Sequence, residues 1–309
     1  MTVHVFGSIN LDKIYRVSHL VQPGETLSSL ELNTVLGGKG ANQSVALARA
    51  GTSVAHVGRI GRDDIAWLET LVDAGVDIER VEPVETVSGH AIIQVDDAGQ
   101  NAIVLHGGAN QGFERSSLEV LLGSLQKGDW LLMQNECDGL AEAIRIAQQR
   151  QVQVAFNPAP MDASVRSLPL AEMDLLVVNE IEAAMLLDLD AGTPATELAE
   201  ALRNSFSSVM RVLTIGADGA YLFEAESNVR HHCRPPAVNV VDTTGAGDTF
   251  VGYLLAALVA GEPPELALQR AVTAGALAVT CAGATPSIPL AVAVEASMTD
   301  AFSGKGAKT

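Results

Sequence analysis

The sequence runs to 309 residues, enough for one large α/β domain, or a domain with a smaller piece attached, and for a sizeable core in either case. Apolar residues make up 48% and aromatics only 4%, so that core is built from Ala, Val, Leu and Ile, as suits parallel strands covered by helices. A formal net charge of −18 excludes a general affinity for nucleic acid or anionic membrane, because phosphates are bound through clustered Lys and Arg; a site for an anionic ligand must then rely on backbone dipoles, a few basic groups and a divalent cation.

A strand pattern opens the chain over His4–Ile9 with no charged-then-apolar leader before it, and a cytoplasmic protein is the expectation. Just past that strand, where open α/β sheets hold their ligands, stands Gly7-Ser8-Ile9-Asn10-Leu11-Asp12. Asn10 and Asp12 alternate with Ile9 and Leu11 and can point the same way, and a carboxylate beside an amide can grip a polyol. Lys13–Leu36 holds scattered strand-like residues around Pro23-Gly24 and no helix pattern. Next comes Gly37-Gly38-Lys39-Gly40-Ala41-Asn42-Gln43, running into a helix over Ala41–Arg49. It is not a Walker A loop, since Gly-x4-Gly-Lys-Ser/Thr is absent from the chain. Its backbone can approach a ligand closely, and Lys39 and Asn42 suit sugar hydroxyls; simple turn flexibility is the competing reading.

A strand over Ser53–Arg59 and a helix over Ala66–Asp73 follow, and then Gly89–His106 reads as a hairpin, with Ala91–Val95 and Ala102–His106 flanking the turn Asp96-Asp97-Ala98-Gly99. This segment and Lys13–Leu36 share β character and lack helices. They form either one small sheet acting as a lid or two ordinary surface insertions. Elsewhere strands (Trp130–Asn135, Val152–Asn157, Leu175–Val178, Arg211–Ile215, Ala220–Phe223) alternate with helices (Leu118–Leu125, Leu140–Gln149, Glu180–Leu187, Thr196–Ser205, Asp248–Ala260, Glu265–Cys281), the signature of βαβ units.

Asn179-Glu180-Ile181-Glu182 opens one of those helices and fits a capping box, while the same spacing suits a role at Mg²⁺ and phosphate. Thr214-Ile215-Gly216-Ala217-Asp218-Gly219 closes a strand, and its glycines let a nucleotide pass near the backbone. Cys137, Cys233 and Cys281 are far apart with no CxxC spacing, so reduced thiols are expected. His231-His232-Cys233 could nucleate a metal site but has no matching second half. The longest apolar stretch, Phe250 to Ala260, is too short to span a bilayer.

Val240-Val241-Asp242-Thr243-Thr244-Gly245-Ala246-Gly247-Asp248-Thr249-Phe250 sets a carboxylate after three small residues and before an apolar helix. Phe250, Leu254, Leu255, Leu258 and Val259 space that helix as one stripe. Free N–H groups at its start favour negative charge, and Gly245, Ala246 and Gly247 let phosphate oxygens come close. Asp248 there can take a proton from an attacking hydroxyl, or merely cap the helix; both readings stand at this point.

Together these segments resemble the PfkB family of carbohydrate kinases, most closely its ribokinase branch. The resemblance runs through Gly7 to Asp12, Pro23-Gly24-Glu25-Thr26, Gly37 to Gln43, Gly61-Arg62-Asp63-Asp64, Leu132-Met133-Gln134-Asn135-Glu136, Asn157-Pro158-Ala159-Pro160, Asn179 to Glu182, Asp242 to Phe250 and Gly283-Ala284-Thr285-Pro286-Ser287-Ile288-Pro289, in the family's order. It implies a Rossmann-like α/β domain (1–12, 37–88 and 107–309) with a β-sheet lid (13–36 and 89–106), and a homodimer through the lid. It implies transfer of the ATP γ-phosphoryl group to a sugar hydroxymethyl oxygen, with ribose the expected sugar. By the same resemblance Asp248 is the base and Gly245, Ala246 and Gly247 the anion hole. Asn10, Asp12, Gly38, Lys39, Gly40, Asn42 and Glu136 hold the sugar. Asn179, Thr214, Gly216, Asp218, Gly219 and Gly247 bind ATP, and Glu182 organises Mg²⁺ through water. A monovalent cation, normally K⁺, is implied at the Asp242 carboxylate, the carbonyls of Thr244, Ala278, Cys281 and Gly283, and Ser287. Tyr253 stands where the family usually has a small residue, and Asn135 and Cys137-Asp138 around Glu136 are less usual. The alternatives are a kinase for deoxyribose, another sugar or a nucleoside, and a non-catalytic sugar-binding regulator. A nucleotide-dependent oxidoreductase is disfavoured, because Gly-x-Gly-x-x-Gly is missing at Gly245-Ala246-Gly247.

Overall fold

The computed structural model describes residues 1–302. In chain order it forms β1 (Val3–Phe6), β2 (Asn10–Arg16), β3 (Glu31–Gly37), α1 (Lys39–Arg49), β4 (Val54–Gly61), α2 (Glu69–Asp73), β5 (Asp77–Val84), β6 (Gly89–Val95) and β7 (Asn101–His106). There follow α3 (Arg115–Leu121), β8 (Trp130–Gln134), α4 (Leu140–Gln149), β9 (Gln153–Asn157), β10 (Leu175–Asn179), α5 (Glu180–Leu187), α6 (Ala195–Asn204), β11 (Met210–Thr214), β12 (Ala220–Phe223) and β13 (Arg230–Cys233). Three helices close the described chain: α7 (Ala246–Val259), α8 (Pro264–Ala278) and α9 (Ala291–Phe302).

Nine strands make one sheet in the order β13-β12-β11-β10-β9-β8-β1-β4-β5, parallel except at the β11–β12 and β12–β13 pairings. Its central strands are buried on both faces, which is why they read as continuous apolar runs such as Trp130-Leu131-Leu132-Met133. One apolar layer joins the sheet to α1, α7 and α8, and the other joins it to α3, α4, α5 and α6. Every parallel pairing points the strand ends one way, so Phe6, Gln134, Asn157, Asn179 and Thr214 finish along one edge of the sheet.

The second sheet, in the order β3-β2-β6-β7, stands apart from the first. Its outer pairings are antiparallel and its central β2–β6 pairing is parallel, because the two hairpins enter from separate points of the main sheet. Asn10 and Asp12 sit on its inner strand, two residues apart and so on one face.

Several elements differ from the sequence reading. The helix expected over Ala66–Asp73 begins as a 3₁₀ turn, Arg62–Leu68. β5 and β13 are edge strands rich in charged and polar residues, which hides them from a search for apolar runs. α7 is not amphipathic: Asp248 through Ala257 are all buried, since the helix lies between α1 and α8 and has no solvent face. Gly252 makes that possible, as a Cβ there would lie 2.4 Å from the Ala46 Cβ of α1. The metal nucleus imagined at His231-His232-Cys233 falls on β13, whose alternation splits it: His231 meets Glu224 at 2.7 Å and His232 stacks on Tyr221. Among the described residues no helix is long and apolar enough to cross a membrane.

Candidate functional site

The edge where the parallel strands end faces the N-terminus of α7. Gly245 is the N-cap of that helix with φ +75°, a left-handed conformation natural to glycine, and a Cβ there would come 2.9 Å from Ala284 Cα. Ala246 donates to the Thr243 carbonyl and Thr249 to the Gly245 carbonyl. The amides of Gly247 and Asp248, in the first turn, have no helical carbonyl behind them and are open to an anion.

Two cavities meet at this turn. The larger, about 610 Å³, is walled by apolar side chains including Pro236, Val238, Val240, Val272 and Val279, with Gly216 and Gly219 at its floor. Only Gly fits at position 219, where a Cβ would be 1.9 Å from the Cys233 carbonyl oxygen. The smaller cavity, about 220 Å³, is polar and holds Lys39, Asn179, Glu182, Gly245 and Asp248. Thr214, Thr243 and Gly247 line both, so one slot runs from an apolar chamber past the helix N-terminus to a carboxylate.

Asp248 is 7% exposed and its carboxylate is aimed by two amides of α1. Asn42 donates to its Oδ2 at 3.0 Å and Gln43 to its Oδ1 at 2.9 Å. Asp248 therefore does not cap its helix through its side chain, which leaves that reading without a bond. Behind the pair, Gln43 also donates to Asn157 Oδ1 at 3.1 Å, and Thr285 reaches Asn42 Oδ1 at 2.9 Å. Lys39 stands among carboxylates: Asp248 first, then Glu136 and Glu182, hold its ammonium above the usual lysine range against the opposing effect of burial.

At the other end, Glu136 Oε2 accepts from the Lys39 amide at 3.0 Å and from the Ser8 hydroxyl. Gly38, with φ +91°, caps α1, and Gly40 touches Gly7 so closely that a Cβ would lie 2.5 Å from the Gly7 carbonyl carbon. Asn10 is 3% exposed and accepts from Asn110 at 2.7 Å. Burial, with the charges of Glu136 and Asp248, pushes the Asp12 carboxyl up to about 6.

Asn179 and Glu182 form the capping box of α5: Asn179 accepts from the Glu182 amide at 2.8 Å and Glu182 Oε2 from the Asn179 amide at 2.9 Å. Both still line the smaller cavity, so capping and cavity-lining coexist. Burial pushes the Glu182 carboxyl up, opposed by its bond to Asn179 and by Lys39. Asp218 is not brought into the slot; its carboxylate lies on the surface 3.7 Å from Arg234. Of the residues tied to a monovalent cation, Asp242, Thr244 and Gly283 come together. Asp242 accepts from the Thr244 amide and hydroxyl at 2.9 and 2.7 Å and from the Gly283 amide at 2.8 Å, bonds that hold its carboxyl low despite burial. Cys281 donates to the Ala278 carbonyl, whereas Ser287 turns to the Ala284 carbonyl rather than to Asp242.

Asn110 lies outside every motif read from the sequence, and Gln134, Asn157, Thr243 and Thr285 stand inside such motifs without a role assigned to them. The available signal was a polar residue closing an apolar strand run, as Gln134 and Asn157 do.

Comparison with known proteins bears on this arrangement. The profile described as "pfkB family carbohydrate kinase" matches residues 2–291. Ribokinase of Haemophilus influenzae is 34% identical over 296 residues, covering 93% of this chain and 95% of that protein. The structure of ribokinase from Cryptococcus neoformans in complex with ADP superposes with a TM-score of 0.83 at 34% identity, covering 95% and 98% of the two chains. That of Arabidopsis thaliana ribokinase complexed with ribose and ATP gives 0.85 at 31% identity, covering 96% and 98%.

Proposed function

Because the chain belongs to the pfkB family of carbohydrate kinases, we propose that it is an ATP-dependent kinase transferring the γ-phosphoryl group to the 5-hydroxymethyl oxygen of D-ribose. The observation carrying this reading is the buried Asp248 carboxylate, aimed by Asn42 and Gln43 where an apolar chamber and a polar one meet at a helix N-terminus.

The apolar chamber takes the nucleotide base, and the phosphates run past Gly247 into the polar one. Asn10, Asp12, Asn42 and Glu136, with the Gly38, Lys39 and Gly40 backbone, hold the sugar. As the hydroxymethyl oxygen attacks the γ-phosphorus, Asp248 takes its proton, the new P–O bond forms, and the bond to the β-phosphate oxygen breaks to release ADP. The first-turn amides after Gly245 and the Lys39 ammonium stabilise charge on the phosphoryl oxygens in flight. Thr214, Gly216 and Gly219 pass the nucleotide, while Asp218, paired with Arg234, contributes at the rim alone.

The Glu182 carboxylate, whose Oε1 is outside the capping box, is a hard oxygen ligand that fits a hydrated Mg²⁺, which would neutralise the nucleotide phosphates. The Asp242 carboxylate, with the carbonyls of Thr244, Ala278, Cys281 and Gly283, is likewise an all-oxygen set and fits an alkali ion such as K⁺ rather than a transition metal. Such an ion would stiffen the loop behind Gly245 without touching substrate. Residues 13–36 and 89–106 serve as the lid. The exposed Leu32, Ile92, Ile103, Val104 and Leu105 on its sheet suit pairing with a second copy, and the reading is completed by a cytoplasmic homodimer.

A panel of sugars scored by ADP release tests the substrate. Ribose should turn over fastest, and equal or better turnover of deoxyribose would overturn the assignment. Asp248→Asn should keep sugar and ATP binding while cutting kcat by about two orders of magnitude or more, and unchanged turnover would remove the base and leave a binding protein.

A further inference from the structure

Asp248 is held by more than its two immediate donors. Gln43 uses its amide nitrogen twice, toward Asp248 Oδ1 at 2.9 Å and Asn157 Oδ1 at 3.1 Å, and its Oε1 accepts from Gln134 Nε2 at 2.7 Å. Asn157 in turn donates to the Val177 carbonyl at 3.0 Å. Gln43 and Gln134 are 0% and 1% exposed, so water cannot replace their partners, while Asn157 borders the smaller cavity.

The direction of every amide in this string follows from its two ends. The Val177 carbonyl can only accept, which turns the Asn157 oxygen toward Gln43. That oxygen and the carboxylate both demand hydrogens, which turns the Gln43 nitrogen toward them and its oxygen toward Gln134. Gln134 must then present its nitrogen, and its own Oε1 is left buried with no partner against Gly7, where a Cβ would lie 2.3 Å away. An unpaired buried oxygen has lost its water without gaining a donor, which costs stability. Flipping Gln134 would set two oxygens against each other at Gln43.

We infer that Gln43 and Gln134 are positioning residues for phosphoryl transfer, an amide relay from strand β8 that keeps hydrogen-bond donors, and never an acceptor, against the Asp248 oxygen facing away from Asn42. The inference rests on Asp248 being the base. Gln43 and Gln134 line neither cavity; they act on the aim and proton-accepting state of Asp248.

The test is steady-state kinetics of the full-length protein with ribose and MgATP from about pH 5.5 to about pH 9.5. Gln43→Glu puts a second carboxyl oxygen against Asp248 Oδ1. Two carboxyls at that distance share a proton, so the acid limb of kcat should move up by about 1 unit or more, with turnover recovering at the alkaline end. Gln43→Met, close in shape, should lower kcat by about 10- to 100-fold with both KM values within about 3-fold, as expected for a misaimed base. Gln134→Met should lower kcat by roughly 3- to 10-fold, and the double variant should be no slower than Gln43→Met, because both act along one path. An unmoved acid limb in Gln43→Glu, or Met effects that multiply, overturns the inference. Should Gln43→Glu fail to fold, the Met pair decides. Asp248→Asn separates the two levels: if it retains turnover the base reading fails, whereas if it is inactive and the relay variants behave as parent, only the relay fails.

Discussion

Replacing Asp12 by Asn should make the ligand-free protein more stable while weakening its hold on sugar. Burial and the neighbouring charges of Glu136 and Asp248 raise this carboxyl from 3.8 to about 6. The folded chain thus binds the proton more tightly than the unfolded chain, and ionising Asp12 costs stability as pH rises from about 4 through 6. The difference of roughly 2 units corresponds to about 3 kcal/mol above pH 7, about half of that at pH 5, and well under 1 kcal/mol at pH 4. Asn, which never ionises, escapes the cost. Urea or thermal melts of Asp12→Asn and parent should therefore separate by up to about 3 kcal/mol at pH 8, a shift of roughly 5 °C, and converge toward pH 4. Over the same range the parent's KM for sugar should rise as pH falls below about 6, since a protonated Asp12 accepts fewer hydrogen bonds. A separation that is the same at both pH values, or a less stable variant at pH 8, would refute the reasoning.

Gly245→Ala adds a Cβ 2.9 Å from Ala284 Cα at φ +75°, and it should cost about 1–3 kcal/mol of stability and at least about 10-fold in kcat, seen by melting and ADP release. Asn110→Ala leaves Asn10 Oδ1 without its donor and should raise the sugar KM by about 10-fold with kcat little changed, measured by varying ribose at saturating ATP. Activity should rise when K⁺ replaces a bulky organic cation at fixed ionic strength, and Asp242→Ala should abolish that response; a parent indifferent to K⁺ would refute the cation site.

Much of the fold is legible in the sequence because its strands are either buried on both faces or flanked by caps. The runs over Leu140–Gln149, Glu180–Leu187 and Ala220–Phe223 emerge with the bounds their apolar spacing indicates. What stays hidden has a physical reason in each case. β5 and β13 carry charges and histidines because they are sheet edges, and α9 lacks a clear apolar stripe. The site divides in the same way. Asp248, Asn42 and Gln43 sit in short motifs whose residue types announce polar work, but the contacts that Gln134 and Asn157 make from distant strands, and Asn110 from a 3₁₀ turn, are not written in any motif. Only the strand order brings those together. Asn179 and Glu182 show a further limit, since a capping box and a cavity wall require the same tetrad.

Gly252 lies one turn beyond Asp248 on α7, and Ala46, the atom it nearly touches, lies one turn beyond Asn42 on α1. The place where the two helices graze and the place where amide meets carboxylate are consequently a single crossing, its spacing set by a missing methyl group. Diversification of the molecule then has an easy direction and a hard one. If the small sheet holds the sugar as proposed, changes there would retune which sugar is gripped without disturbing this crossing, whereas even one added carbon at position 252 would wedge the helices apart and should spoil turnover for every sugar alike.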